Sequence, residues 1–139
     1  MATTAMQPPT AEAGIQVFRY AAPAIEQGKK NVKLAATDAV RAGIQYVRQG
    51  GETNLHSHSG NDGFWLVLSG RARFYGDDPD PVAELGPLEG AMVPHGTPYW
   101  FEAAGEEPLE ILHVASRIGS DDRRTDHAPP PPRRQRDRS

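Results

Sequence analysis

Two histidines separated by one residue, His56-Ser57-His58, are the side chains of this sequence best suited to chemistry. In an extended strand alternate side chains share a face, so both imidazoles point one way and Ser57 the other. Imidazole binds zinc, copper, iron and nickel alike, and the pair reads as a metal clamp that does not choose its metal. Catalytic metal sites typically use three protein ligands and keep one position open, so a third donor must come from elsewhere. His113, on the same strand face as Ile111, is one candidate, and Asp62, close by in sequence, is another. His95 lies in a turn and His127 in the tail, and neither is a good ligand. The alternative is two polar side chains on the rim of the fold, hydrogen-bonded and inert.

The elements that must position these residues read as strands. Residues 64–68, Phe-Trp-Leu-Val-Leu, form an apolar run too short for most helices and too continuous for a strand with one wet face. Such a strand must be covered on both sides. Residues 15–20 alternate apolar with polar and predict a first strand, and 32–35 a weaker second one. In the next, residues 42–48, Ile44 and Tyr46 share one face while Gln45 and Val47 take the other. After Gly70, residues 71–75 are expected as the return arm of a tight hairpin turning at 68–71. Short strands follow at 82–85, 91–93, 99–102 and 109–116, separated by glycine and proline turns. About ten strands with such turns predict an all-β sandwich, small barrel or jelly roll.

The run Gly50, five residues, His56-Ser57-His58, then Gly70 resembles the first motif of the cupins. Gly90 followed by Pro94-His95-Gly96 resembles the second. Gly63 stands where that family usually has a glutamate, and Tyr99 where it usually has a histidine. The resemblance spans residues 40–116 and implies a cupin-like β-barrel, or double-stranded jelly roll. It also implies a divalent transition metal (iron, manganese, nickel, zinc or copper) on His56 and His58, completed by His113, Asp62 or water. Tyr99 would then serve as hydrogen-bond donor or proton shuttle. If Gly63 occupies the inward glutamate position, Trp65 and Val67 also face the barrel interior, along with Tyr99 and Phe101, and together build an aromatic pocket for a flat organic molecule. Cupins of this size carry out oxygenation, isomerisation, lyase chemistry and cyclisation, so the resemblance implies a class rather than a reaction. Either the N-terminal strands or a second subunit would supply the second cover that residues 64–68 require; cupins often pair this way, and a homodimer is expected. A metal-free module that binds or senses a small ligand is the alternative function.

Composition sets the remaining bounds. The 139 residues suit one domain, and cysteine is absent, which excludes disulfides, thiolate ligands and a thiol nucleophile. The net charge is −3, yet residues 119–139 carry six arginines and four aspartates, leaving the body more acidic than the whole. An acidic body is a poor match for a phosphate backbone, so nucleic acid is not an expected partner. No signal-peptide pattern and no stretch near the roughly 20 apolar residues of a membrane span are present. A cytoplasmic protein without a membrane partner is expected. The chain divides into a flexible lead-in at 1–14, the barrel domain at 15–118, and an arginine- and proline-rich tail at 119–139 expected to be disordered. No nucleophile elbow, phosphate loop or H-E-x-x-H pattern offers a competing chemistry.

Overall fold

The computed structural model describes residues 14–48, 54–119 and 122–127. Ten strands account for most of them: β1 (Lys29–Ala36), β2 (Val40–Val47), β3 (His56–His58), β4 (Gly63–Ser69), β5 (Ala72–Tyr75), β6 (Pro81–Leu85), β7 (Gly90–Val93), β8 (Trp100–Ala103), β9 (Leu109–Ser116) and β10 (Arg124–Asp126). No α-helix occurs among the described residues. Nor is any helix there long and apolar enough to cross a membrane. Strands β1-β2-β9-β4-β7 form one sheet, β6-β5-β8 a second, and β10-β3 a short ribbon. All pairings are antiparallel, and a bridge between His56 and Tyr99 ties the ribbon to the start of β8. This is the jelly-roll arrangement the turn-rich pattern predicts.

Register decides which side chains face the interior. Trp65 of β4 lies opposite His113 of β9, which lies opposite Gly43 of β2, and Gly43 in turn faces Lys33 of β1. Val67 and Ile111 continue the same face, where they join Val47, Phe74, Phe101 and Leu109 in the buried core. Burying each of these large side chains contributes about 1.5–3 kcal/mol. Because side chains alternate, Arg41 and Gln45 of β2 and Lys29 and Asn31 of β1 share that inner face.

The outer face carries Val32, Ile44 and Tyr46, all buried, and the segment before β1 is bonded to this sheet at β1 and β9. There the Gln16 amide bonds both backbone groups of Ala36, and the Tyr20 hydroxyl donates to Glu110 at 2.6 Å. Residues 15–20 therefore do not form the expected strand. The segment is held by its own Gln16 and Tyr20 side chains, with a single bridge residue at Val17, rather than by a ladder. On β4 and β7, by contrast, Phe64, Leu68 and Met92 remain 41%, 39% and 61% exposed.

Two further expectations are corrected. β4 and β5 are not a hairpin, since they belong to different sheets. Gly70, at φ 79°, passes the chain between them under the Pro108 carbonyl, where no side chain fits. Likewise, residues 122–127 of the expected tail are ordered onto the fold, with Arg124, Thr125 and Asp126 pairing against β3. That segment buries little apolar surface, and backbone ladder bonds hold it where hydropathy predicts none. The polyproline stretch, most of the lead-in, Gly50 and the turn around it lie outside the described residues.

Candidate functional site

Between the sheets lies a cavity of about 410 Å³ lined by β1, β2, β3, β4, β9 and β10 and by the aromatic residues around the start of β8. His56, His58 and His113 all reach it, along with Trp65, Tyr99 and Phe101. Strand β3 presents the first two as alternation requires, with ring centroids 5.1 Å apart and planes nearly perpendicular. The Tyr99 ring lies 4.6 Å from His56, held there by the bridge between their backbones.

The hydrogen bonds set the protonation of both rings. His56 Nδ1 lies 2.6 Å from the Asn54 carbonyl, which can only accept, so this nitrogen carries the proton. His58 Nδ1 lies 2.9 Å from Asp122 Oδ2, which makes it the donor as well. In each neutral ring the lone pair is therefore on Nε2. Carboxylate and carbonyl partners of this kind are what orient metal-binding histidines. Burial raises the pKa of Asp122, but the hydrogen bonds from His58 and the Gly60 N–H outweigh it and hold the carboxyl below its usual range. The His56 pKa is lowered by burial, with the Asn54 carbonyl opposing.

His113 has a different environment. Its ring stacks on Trp65 at 3.7 Å, nearly parallel, and its Nε2 is buried without a partner. Burial pushes its pKa down to about 4, so the imidazole is neutral at pH 7. A Cβ on Gly63 would meet His113 Nε2 at 3.1 Å and Trp65 Nε1 at 3.3 Å. The position left without a side chain on β4 is thus overhung by an imidazole from β9. Burial pushes Tyr99 up to about 12, opposed by the neighbouring Trp65 N–H and the Arg124 and Arg41 charges. Tyr99 accordingly keeps its proton at neutral pH.

A family model for the cupin domain matches residues 43–115. The chain belongs to the cupin family. A double-stranded β-helix protein from Klebsiella pneumoniae superposes with a TM-score of 0.65 at 16% identity, covering 76% of this chain and 86% of its own. A cupin superfamily protein from Desulfitobacterium hafniense gives 0.59 at 25% identity over 70% and 84%. KdgF from Halomonas gives 0.58 at 20% identity over 68% and 84%. No curated protein matches the sequence.

The cupin pocket gathers most of the residues that sequence reasoning singled out, with two exceptions. Asp62 points elsewhere: its Oδ1 accepts from the His95 backbone N–H and lies 2.9 Å from His95 Nδ1 at the surface. Those bonds lower its pKa, and it does not line the cavity. Val67 faces inward as expected but is fully buried in the packed core and does not line the cavity either. Among the described residues, no group of three or more histidines, aspartates or glutamates is gathered closely enough to hold a metal ion. His127, expected in the tail, bonds Ser57 across the ribbon at 2.8 Å. Sequence reasoning missed Asp122, Arg124, Arg41, Lys29, Lys33 and Gln45. For Lys29 and Lys33 the sequence signal is a density of cations along a weak strand, and Asp122 and Gln45 carry no such signal.

Proposed function

We propose that this cupin acts on a small organic molecule in the barrel pocket through a divalent transition metal held by Nε2 of His56, His58 and His113. The observation that carries this reading is that all three imidazoles line one cavity, two with Nδ1 engaged and the third with a buried, unpartnered Nε2. With a metal–nitrogen bond of about 2 Å, an imidazole centroid lies about 3 Å from the metal, and two such rings at a tetrahedral angle stand about 5 Å apart. The 5.1 Å between His56 and His58 agrees with that spacing. When bound, the metal would supply a Lewis acid for a substrate oxygen, which oxygenase, isomerase, lyase and cyclase reactions can all use. Tyr99 donates a hydrogen bond to the substrate, and Trp65 and Phe101 supply an apolar wall.

Metal analysis of protein prepared without a histidine tag tests the reading. About one metal ion per chain is expected, with both metal and activity lost in His56→Ala/His58→Ala. If the untagged protein carries no metal and takes none up at micromolar concentrations, the enzyme reading falls. A metal-free ligand-binding module then takes its place. Two observations favour that second reading: the imidazoles are not yet gathered around one point, and no carboxylate among the described residues lines the pocket.

A homodimer belongs to the same proposal. Phe64 and Met92 pair across β4 and β7 on the outer face, with Leu68 further along β4, and a second copy of this strip is a self-complementary cover for it. The absence of cysteine suits a reducing compartment, and a cytoplasmic location completes the reading.

A further inference from the structure

We propose that the ligand of this pocket is a small organic anion with a hydroxyl beside its charged group, the charge being held at the mouth by Lys29, Lys33 and Arg41. The inference deepens the proposed function and rests on its pocket, but not on its metal.

The first observation is the sign of the lining. Lys29, Lys33, Arg41 and Arg124 line the cavity with the three histidines, and no aspartate or glutamate among the described residues does. In a chain of net charge −3 this is a local concentration against the average. Register accounts for it, because Lys29, Lys33 and Arg41 occupy inner-face positions opposite Val47, Gly43 and Ala115. Gathering like charges around one cavity is unfavourable, and the Lys29 pKa is lowered by desolvation and then by Arg124. Arg124 is partly neutralised by Asp126 at 2.9 Å. Among the described residues, Lys29, Lys33 and Arg41 have no carboxylate within salt-bridge distance. An anionic group fits this wall and would meet charge-assisted hydrogen bonds there.

The second observation is independent of charge. Gln45 lines the same cavity and carries a buried side-chain oxygen, Oε1, without a hydrogen-bond partner. Buried polar atoms are ordinarily paired, so it marks a contact to be completed. The amide oxygen needs a donor. A hydroxyl is one. The aromatic side chains of Trp65, Tyr99 and Phe101, which line the same cavity, form the wall for the uncharged body of the ligand.

The test is calorimetric titration of the full chain, treated with a chelator and at low ionic strength. The probes are mandelate, its neutral amide mandelamide, phenylacetate, which lacks the hydroxyl, and phenyl phosphate. Mandelate should bind about tenfold tighter than mandelamide, as two charge-assisted contacts at a half-open site allow. Phenylacetate should fall between them, and added salt should shrink the charge preference. Phenyl phosphate binding tighter than mandelate would assign a phosphate head, and weaker a carboxylate head; either order supports an anion. Lys33→Gln/Arg41→Gln should bring mandelate to the level of mandelamide and leave mandelamide unchanged. Both residues are exposed, a thermal melt checks folding, and Lys29→Gln/Lys33→Gln is a second variant with the same expectation. The proposal is overturned if mandelate binds no tighter than mandelamide, or if the preference survives in the double variants. It is also overturned if the preference appears only when metal is restored, since the metal would then hold the acid. A preference that persists in protein unable to bind metal leaves this inference standing while the metal reading fails.

Discussion

At its β1–β2 end the five-stranded sheet turns Lys29, Lys33 and Arg41 toward the barrel and Val32, Ile44 and Tyr46 away from it. At its β4–β9 end the order reverses, with Trp65, Val67 and Ile111 inside and Phe64 and Leu68 outside. Both ends obey the same alternation. The difference is on the outer face: the segment carrying Gln16 and Tyr20 bonds β1 at Ala36 and β9 at Glu110, while Phe64, Leu68 and Met92 beyond it stay exposed. Once an outer layer shelters the apolar side chains, the inner face is free to be polar, and a cavity with cationic walls can form where a core would otherwise fill. The β4–β9 end, packed on its inner face, supplies rigidity, and the β1–β2 end, with its cavity wall, supplies recognition.

The sharpest way to break that comparison is to weaken the packed end. Phe101→Ala removes a fully buried ring between Trp65 and Phe74 and should cost about 3–5 kcal/mol in urea denaturation. A cost under about 1 kcal/mol would mean that the inner face is not the main core.

A smaller effect comes from the boundary between the two ends, where His113 stacks on Trp65. In metal-free protein, burial places its pKa at about 4, below the ordinary 6.5. As pH falls through that window the unfolded chain takes up a proton that the folded protein refuses, so stability is full above about 6.5 and declines toward 4. The loss is at most about 3 kcal/mol, and the lowered pKa of His56 acts in the same direction. Denaturation midpoints from pH 7 to 4.5 should fall in the parent and fall less in His113→Gln. Equal slopes would show that the imidazole is not buried.

Much of the packed end was legible in the sequence. The pairs sharing a face, such as Ile44 with Tyr46 and Trp65 with Val67, follow from period two alone, as does the convergence of His56 and His58. Alternation does not say which face is inside. Lys29, Lys33 and Arg41 look like the wet side of their strands, and only the burial of Val32 and Ile44 on the other face reverses that reading. Residues 15–20 alternate like a strand but bond through side chains. Asp122 was illegible for a related reason: it reaches His58 across 64 residues of sequence, from a segment whose composition gives no cause for order. Backbone pairing with β3 supplies that cause.

The smallest expected effect lies at the open outer face. Phe64 is exposed in the single chain, so Phe64→Ser should change the stability of a monomer by no more than about 0.5 kcal/mol. If a second copy covers this strip, the same substitution should instead convert a sedimenting dimer to a monomer at micromolar concentration and leave the pocket's ligand affinity unchanged. Met92→Ser, opposite it on β7, should act in the same direction. A parent protein that already sediments as a monomer would remove the dimer from the proposal. It would also leave the contrast between the two ends intact, because the cationic wall depends on the burial of the outer face of β1 and β2, and β4 takes no part in that.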